Sequence, residues 1–193
     1  MGNNNSAFVS TGKPKIGGAV FRAPLGTTLP TTADESLNSA FVNQGYCSED
    51  GLTNNNSKET EKIKAWGGET VYALTTEHND EFGITLIEVT NPEVLKTVHG
   101  DSNVSGTLAA GLTVKVNADE NPESVWVVDM ILHGVMKRVV IPKGKITEIE
   151  EISYKDDDAV GYGLTISALS GGFASDSDTH KEYLKNIPAS GTS

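Results

Sequence analysis

A single cysteine, Cys47, leaves no intrachain disulfide to form, and nothing else in the chain points to an oxidising compartment. No stretch approaches the roughly 20 apolar residues of a membrane-spanning helix, so no membrane is expected among the partners. The start, Met1-Gly2-Asn3-Asn4-Asn5-Ser6, lacks the charged and apolar regions of a secretion signal. Gly2 and Ser6 loosely fit an acylation pattern, but nothing nearby is polybasic, and stable anchoring takes two signals. The protein is expected to be made and folded in a cytoplasm. Bases are also scarce: 15 Lys and Arg face 26 Asp and Glu, a net charge of −11. A stable grip on nucleic acid needs the opposite sign to neutralise phosphates. A surface that DNA slides past without sticking would suit this balance.

Groupings that carry chemistry are missing too. His78, His99, His133 and His180 show no i, i+4 pairing and no Cys partner, so metal-ligand spacing is lacking. His133, at the end of an apolar strand, reads as structural. Asp156-Asp157-Asp158 before Gly161 is a poor calcium loop, because Val160 stands where an oxygen ligand belongs and no Glu closes it. Neither Gly17-Gly18 nor Gly67-Gly68 is followed by the Lys-Ser/Thr of a phosphate cradle. Acids are plentiful, yet no feature favours any pair of them as a glycosidase couple. No catalytic residue, cofactor or metal is assigned, and an enzyme is not expected.

What is present is a series of short apolar runs separated by Gly- and Asn-rich stretches. Residues 1–15 and 170–193 are polar and read as loose arms around a domain spanning 16–169. Strands are expected over Gly17–Arg22, Phe41–Cys47, Phe82–Val89, Leu112–Val116, Val125–Leu132, Val135–Ile141, Ile146–Tyr154 and Val160–Ala168. The alternation is cleanest in the last, with Tyr162, Leu164 and Ile166 against Gly163, Thr165 and Ser167. Ile146, Ile149 and Ile152 recur every third residue, which predicts a β-bulge near Glu150-Glu151. Lys62–Trp66 and Thr70–Thr75 form a tight hairpin around Gly67-Gly68, preceded by an exposed loop over Thr53–Lys58. One helix is well signalled over Pro92–His99, with Asn91 as cap, Pro92 in the first position and Gly100 as terminator. Weaker helical signals lie at Ala33–Ala40 and Lys181–Leu184. The sum is a mainly β chain, a β-sandwich or partly closed barrel with one flanking α-helix and extended N- and C-terminal arms.

Several segments resemble a known family. Residues 13–26, Lys-Pro-Lys-Ile-Gly-Gly-Ala-Val-Phe-Arg-Ala-Pro-Leu-Gly, are similar to the start of major tail proteins of long-tailed phages of Gram-positive hosts. The stretch from Gly45 to Gly51, the stretch from Lys62 to Gly68, and the runs Val139–Glu148 and Gly161–Ile166 resemble further stretches of that family, in the same order. Together they cover about residues 13 to 169. The resemblance implies a sandwich with a flanking helix, assembled as hexameric rings stacked into a sheathless tube that conducts viral DNA. It implies strands of neighbouring subunits joined into a barrel around the lumen, with terminal arms and a long loop bridging rings. Tail terminator, tail tip and tape measure proteins are then the implied partners, and the virion tail the location.

Two expectations follow for particular residues. Phe82–Val89 and Val125–Leu132 are apolar on both faces, more than one core requires, so Phe82, Ile84, Leu86, Val125, Val127 and Ile131 are candidates for contact between subunits. Between Ile146 and Ala159 six acids face one base, which makes Glu148, Glu150 and Glu151 candidates for the wall of the bore. Two other readings compete: a carbohydrate- or surface-binding sandwich module, and the tube of a contractile phage-like system. The first would show a concave patch of aromatics, whereas these amount to 6% and are scattered. The second would be marked by a neighbouring sheath gene.

Overall fold

The computed structural model describes residues 9–15, 19–174 and 177–187. Among them the chain runs through β1 (Gly12–Pro14), β2 (Val20–Pro24), β3 (Val42–Asn43), β4 (Cys47–Lys64), β5 (Thr70–Leu86), α1 (Pro92–His99), β6 (Val104–Thr107), β7 (Gly111–Val114), β8 (Ser124–Leu132), β9 (Val135–Ile149), β10 (Tyr162–Ala168) and β11 (Lys181–Asn186). Nine strands join one antiparallel sheet in the order β3-β2-β8-β9-β10-β5-β4, with β1 added to β8 and β11 to β9; β6 and β7 pair separately. The result is mainly β and sandwich-like, with one helix and no closed barrel.

The central unit is the β8–β9 hairpin. Its two-residue turn, His133-Gly134, holds both residues at positive φ, 43° and 87°, the twist that matches flanking strands in a tight hairpin. β9 then serves two neighbourhoods. Its first half pairs with β8 and β11, and its second half, from Gly144, pairs with β10. The register slips by one residue opposite Thr165/Ile166, so the bulge sits at Thr147 and not at Glu150-Glu151. The strand ends at Ile149, and residues up to Gly161 are irregular.

Period-two alternation splits β8 and β9 between two apolar layers. Trp126, Val128, Val139 and Ile141 face a large core with Phe82, Ile84 and Leu86 of β5, Leu164 and Ile166 of β10, and Val94, Leu95 and Val98 of α1. Val125, Val127 and Val140 face a second, smaller core, covered by Leu29, Leu37 and Phe41 from the 25–41 segment and by Phe173 and Tyr183. At its margin Arg138 and Asp129, both almost fully buried, form a bidentate pair at 2.6 and 2.8 Å. α1 forms as expected: the Asn91 side chain accepts from the Glu93 amide, and the Gly100 N–H closes the last turn on Lys96.

Four expectations are corrected. Ala33–Ala40 is not a helix: the carbonyls of Thr32 and Glu35 accept from the Arg138 guanidinium at 3.1 and 2.8 Å, and Glu35 turns back to bind Thr31. Thr53–Lys58 is not a loop but the middle of β4, polar on both sides because that ribbon is largely exposed. Phe41–Cys47 is not one strand: Val42–Asn43 forms β3, residues 44–46 are irregular, and Cys47 already begins β4. Lys181–Leu184 is the strand β11 on β9, so the chain beyond residue 170 returns to the sheet instead of leaving it as a loose arm. β1 likewise ties part of the N-terminal segment to β8. The chain before Val9, the Gly17-Gly18 part of the first expected strand, and the last six residues lie outside the described residues.

Candidate functional site

The strands β9, β10, β5 and β4 present one continuous polar face, opposite the large core. Cross-strand register aligns Glu148, Thr165, Gly83 and Thr53 in one row. The next rows hold Ser167 with Glu81 and Asn55, and Gly163 with Thr85. Side chains here are small and bound to the sheet itself. Thr147 Oγ1 lies 3.1 Å from Ser167 Oγ and donates to the Thr165 carbonyl at 3.3 Å, while Thr53 Oγ1 donates to the Gly83 carbonyl at 3.4 Å. Two glycines leave room for neighbouring side chains that would have to move for any larger residue. A Cβ on Gly83 would stand 2.5 Å from Thr53 Oγ1, and one on Gly163 would stand 2.2 Å from the Glu150 carboxylate.

The charge of this face is acidic. Glu148 and Glu150 are exposed on it and Glu81 is half-exposed. The one lysine in these rows, Lys145 opposite Ser167, is held by Glu120 at 2.6 Å, and the hydrogen bond and charge of that partner raise its pKa. Of the three acids expected at the bore, Glu148 and Glu150 therefore share this face, and Glu151 lies exposed just beyond it. The apolar candidates fare differently. Phe82, Ile84, Leu86, Val125 and Val127 are buried inside the single chain, and Ile131 is half-buried on β8. The two apolar faces of β8 are covered by the two internal cores, while Phe82, Ile84 and Leu86 of β5 all face the large one.

Both ends of this four-stranded face are open among the described residues. β4 has a neighbour on one side only, and β9 beyond Gly144 has β10 on one side and no strand on the other. Unpaired strand edges of this kind invite another chain. Where the face gives way to the projecting part of the hairpin, a polar knot missed in the sequence marks the boundary. Asp80, wholly buried, accepts from Thr179 at 2.6 Å, Asn54 at 2.8 Å and His180 Nδ1 at 2.5 Å. Burial would raise its pKa, but the three donors outweigh that and hold it below the ordinary carboxylate value. An acid flanked by Asn79 in a polar run gives no sequence signal for such burial. Cys47 has its pKa pushed up to about 11 by burial and by Glu88 nearby, which leaves it a poor nucleophile. No group of three or more His, Cys, Asp or Glu able to hold a metal occurs among the described residues.

A mainly β chain with a smooth, acidic sheet face and two open edges has the build of a structural subunit. The sequence agrees with that class over almost its whole length: the chain belongs to the phage tail tube proteins, whose family model matches residues 1–185. No curated protein matches it. A protein of this family is a structural part of the virion tail, where many copies assemble into a tube. No helix of the described residues is long and apolar enough to cross a membrane.

Proposed function

We propose that this chain is the tube subunit of a long, non-contractile phage tail, that it forms hexameric rings stacked into a conduit, and that the polar face of β9-β10-β5-β4 lines the bore through which DNA is ejected. The single observation that carries this reading is the composition of that face: threonine, serine, glycine and glutamate, with its lone lysine neutralised by Glu120. A fixed cation facing the bore would hold a phosphate at every ring, whereas carboxylates repel it and small hydroxyls leave the wall smooth. The open edges of β4 and of β9 beyond Gly144 support the joining of neighbouring faces into one continuous wall, since pairing them satisfies backbone groups on both chains.

Replacing Glu148, Glu150 and Glu151 with Lys tests the assignment, because it turns three negative side chains into three positive ones on an exposed surface. Tails should still assemble, and DNA release should slow, most at low salt where screening is weakest. Unchanged release from correctly assembled variant tails would put these residues outside the conduit.

A further inference from the structure

An aspartate side chain closes on the next backbone nitrogen only where the carboxyl is free to turn, the following residue has no Cβ in the way, and the backbone can rotate. Asp50-Gly51 is the one Asp-Gly pair in the chain, and no Asn-Gly pair occurs. Both residues are exposed. Gly51 holds φ at 73°, a conformation open to glycine, and a Cβ built there would meet no atom within 4 Å. The Asp50 carboxylate accepts from Ser48 Oγ at 2.8 Å and has no other partner among the described residues.

The surroundings leave this pair free to move. Register sets Cys47 against Leu86 and Leu52 against Ile84, so four residues of β4, Ser48 to Gly51, stand against Thr85 alone. The extra residues of such a bulge lie outside the ladder. The same four residues line an open cavity of about 870 Å³, together with Val20, Ile84 and Met130, so no packed layer backs them. Both flanks, by contrast, are fixed. The Tyr46 carbonyl accepts from the Ile87 amide at 3.0 Å and its own N–H donates to Glu88 at 2.9 Å. From Leu52 to Glu59, β4 pairs residue by residue with β5. Other aspartates are held more firmly. Asp80 and Asp129 are buried and accept three hydrogen bonds each, and Asp34 and Asp101 are tied to Lys185 and Arg22.

We infer that Asp50-Gly51 is a site of spontaneous isoaspartate formation in the folded chain. In the protonated acid the Gly51 nitrogen bonds to Asp50 Cγ, the amide proton and the carboxyl hydroxyl leave as water, and a succinimide forms. Water then adds to the ring. Opening at Cγ restores aspartate. Opening at the α-carbonyl carbon leaves the main chain running through Cγ, with the α-carboxylate as the new side group. One water leaves and one enters, so no oxidant, reductant or co-reactant is needed. The product carries one more main-chain carbon between Cys47 and Leu52, taken up where the ladder is already broken. This segment heads the open edge of β4. On the tube reading, on which this second step rests, converted subunits present a displaced edge and join their neighbours poorly.

Ageing of the purified chain tests both steps, with peptide mapping and with an isoaspartyl methyltransferase and labelled methyl donor as the probe. In heavy-oxygen water the peptide holding Asp50 should split into two isomers, the new one carrying a heavy oxygen and accepting a methyl group. Asp50→Glu should lose that species, because the longer side chain would have to close a larger ring. Asp50→Asn should form it faster, releasing ammonia in place of water. No isomer at position 50 in the folded chain, an isomer that forms only in urea, or equal conversion at the exposed Asp156, Asp157 and Asp158 would overturn the assignment. After assembly of aged protein, the unassembled fraction should be the richer in isoaspartate. Equal content in the two fractions would overturn the effect on joining and leave the modification site standing. A chain that forms no tubes under any condition would overturn the tube reading and that effect with it, while the conversion stands.

Discussion

Asp129→Asn should be among the most damaging conservative changes in this chain. Asp129 and Arg138 face each other across the β8–β9 hairpin with almost no exposure, joined by two hydrogen bonds of 2.6 and 2.8 Å. Removing the carboxylate strands a buried guanidinium, a change that costs about 3–5 kcal/mol because the charge loses its partner without regaining water. For a chain of this size each kcal/mol shifts the melting midpoint by about 2–4 °C, so a fall of roughly 6–20 °C is expected. Asp129→Leu combined with Arg138→Met should do less harm than the single change. It removes the stranded charge and fills the space; the carbonyls of Thr32 and Glu35 lose their donor, about 1–3 kcal/mol, and the part-exposed Lys15 loses its carboxylate partner but keeps access to water. Urea unfolding of wild type, single and double variants measures both terms. The reasoning fails if Asp129→Asn loses less than about 1 kcal/mol, or if the double variant is the less stable of the two.

Asp80 gives a pH dependence of known sign. Its pKa is lowered on folding, so its contribution is complete above the unfolded carboxylate value and disappears as pH falls through the folded one. The stability gap between wild type and Asp80→Asn should therefore shrink below about pH 4, and a gap that stays constant into strong acid would refute this. Cys47, with its pKa raised to about 11, should alkylate far more slowly at pH 8 than a free thiol and at the ordinary rate in urea; equal rates in both would contradict its burial. Deleting residues 170–193 should lower stability by several kcal/mol, since Phe173 and Tyr183 cover the second core and Thr179 and His180 bind Asp80. An unchanged unfolding curve after that deletion would restore the view of this segment as a loose arm.

Local signals in the chain were read correctly where their causes are local. The helix over Pro92–His99 follows from Asn91, Pro92 and Gly100, whose capping effects act within a few residues. The alternation of β10 predicted a two-sided strand, and Gly161, Gly163, Thr165 and Ser167 were legible as a small polar side. What they belonged to was not, because the four-stranded face draws on segments from Thr53 to Ser167 and its width is set by pairing. The acids at 148 and 150 were found from charge density alone, while Glu81 was missed because it precedes the strand expected from Phe82 and joins the sheet only through the longer β5.

The apolar strands mark the divide most clearly. Composition and period two established that Val125–Leu132 had to be covered on both sides, but the identity of the cover lay with residues up to about 100 positions away. Arg138 decided the fate of the 33–40 segment in the same way, by binding the carbonyls that a helix would have kept for its own amides. The sign of the charge, the alternation and the caps are properties of neighbours along the chain. Which face meets a core, which meets solvent and which edges stay open depend on contacts between distant segments, and those exist only once the sheet has closed over both of its cores.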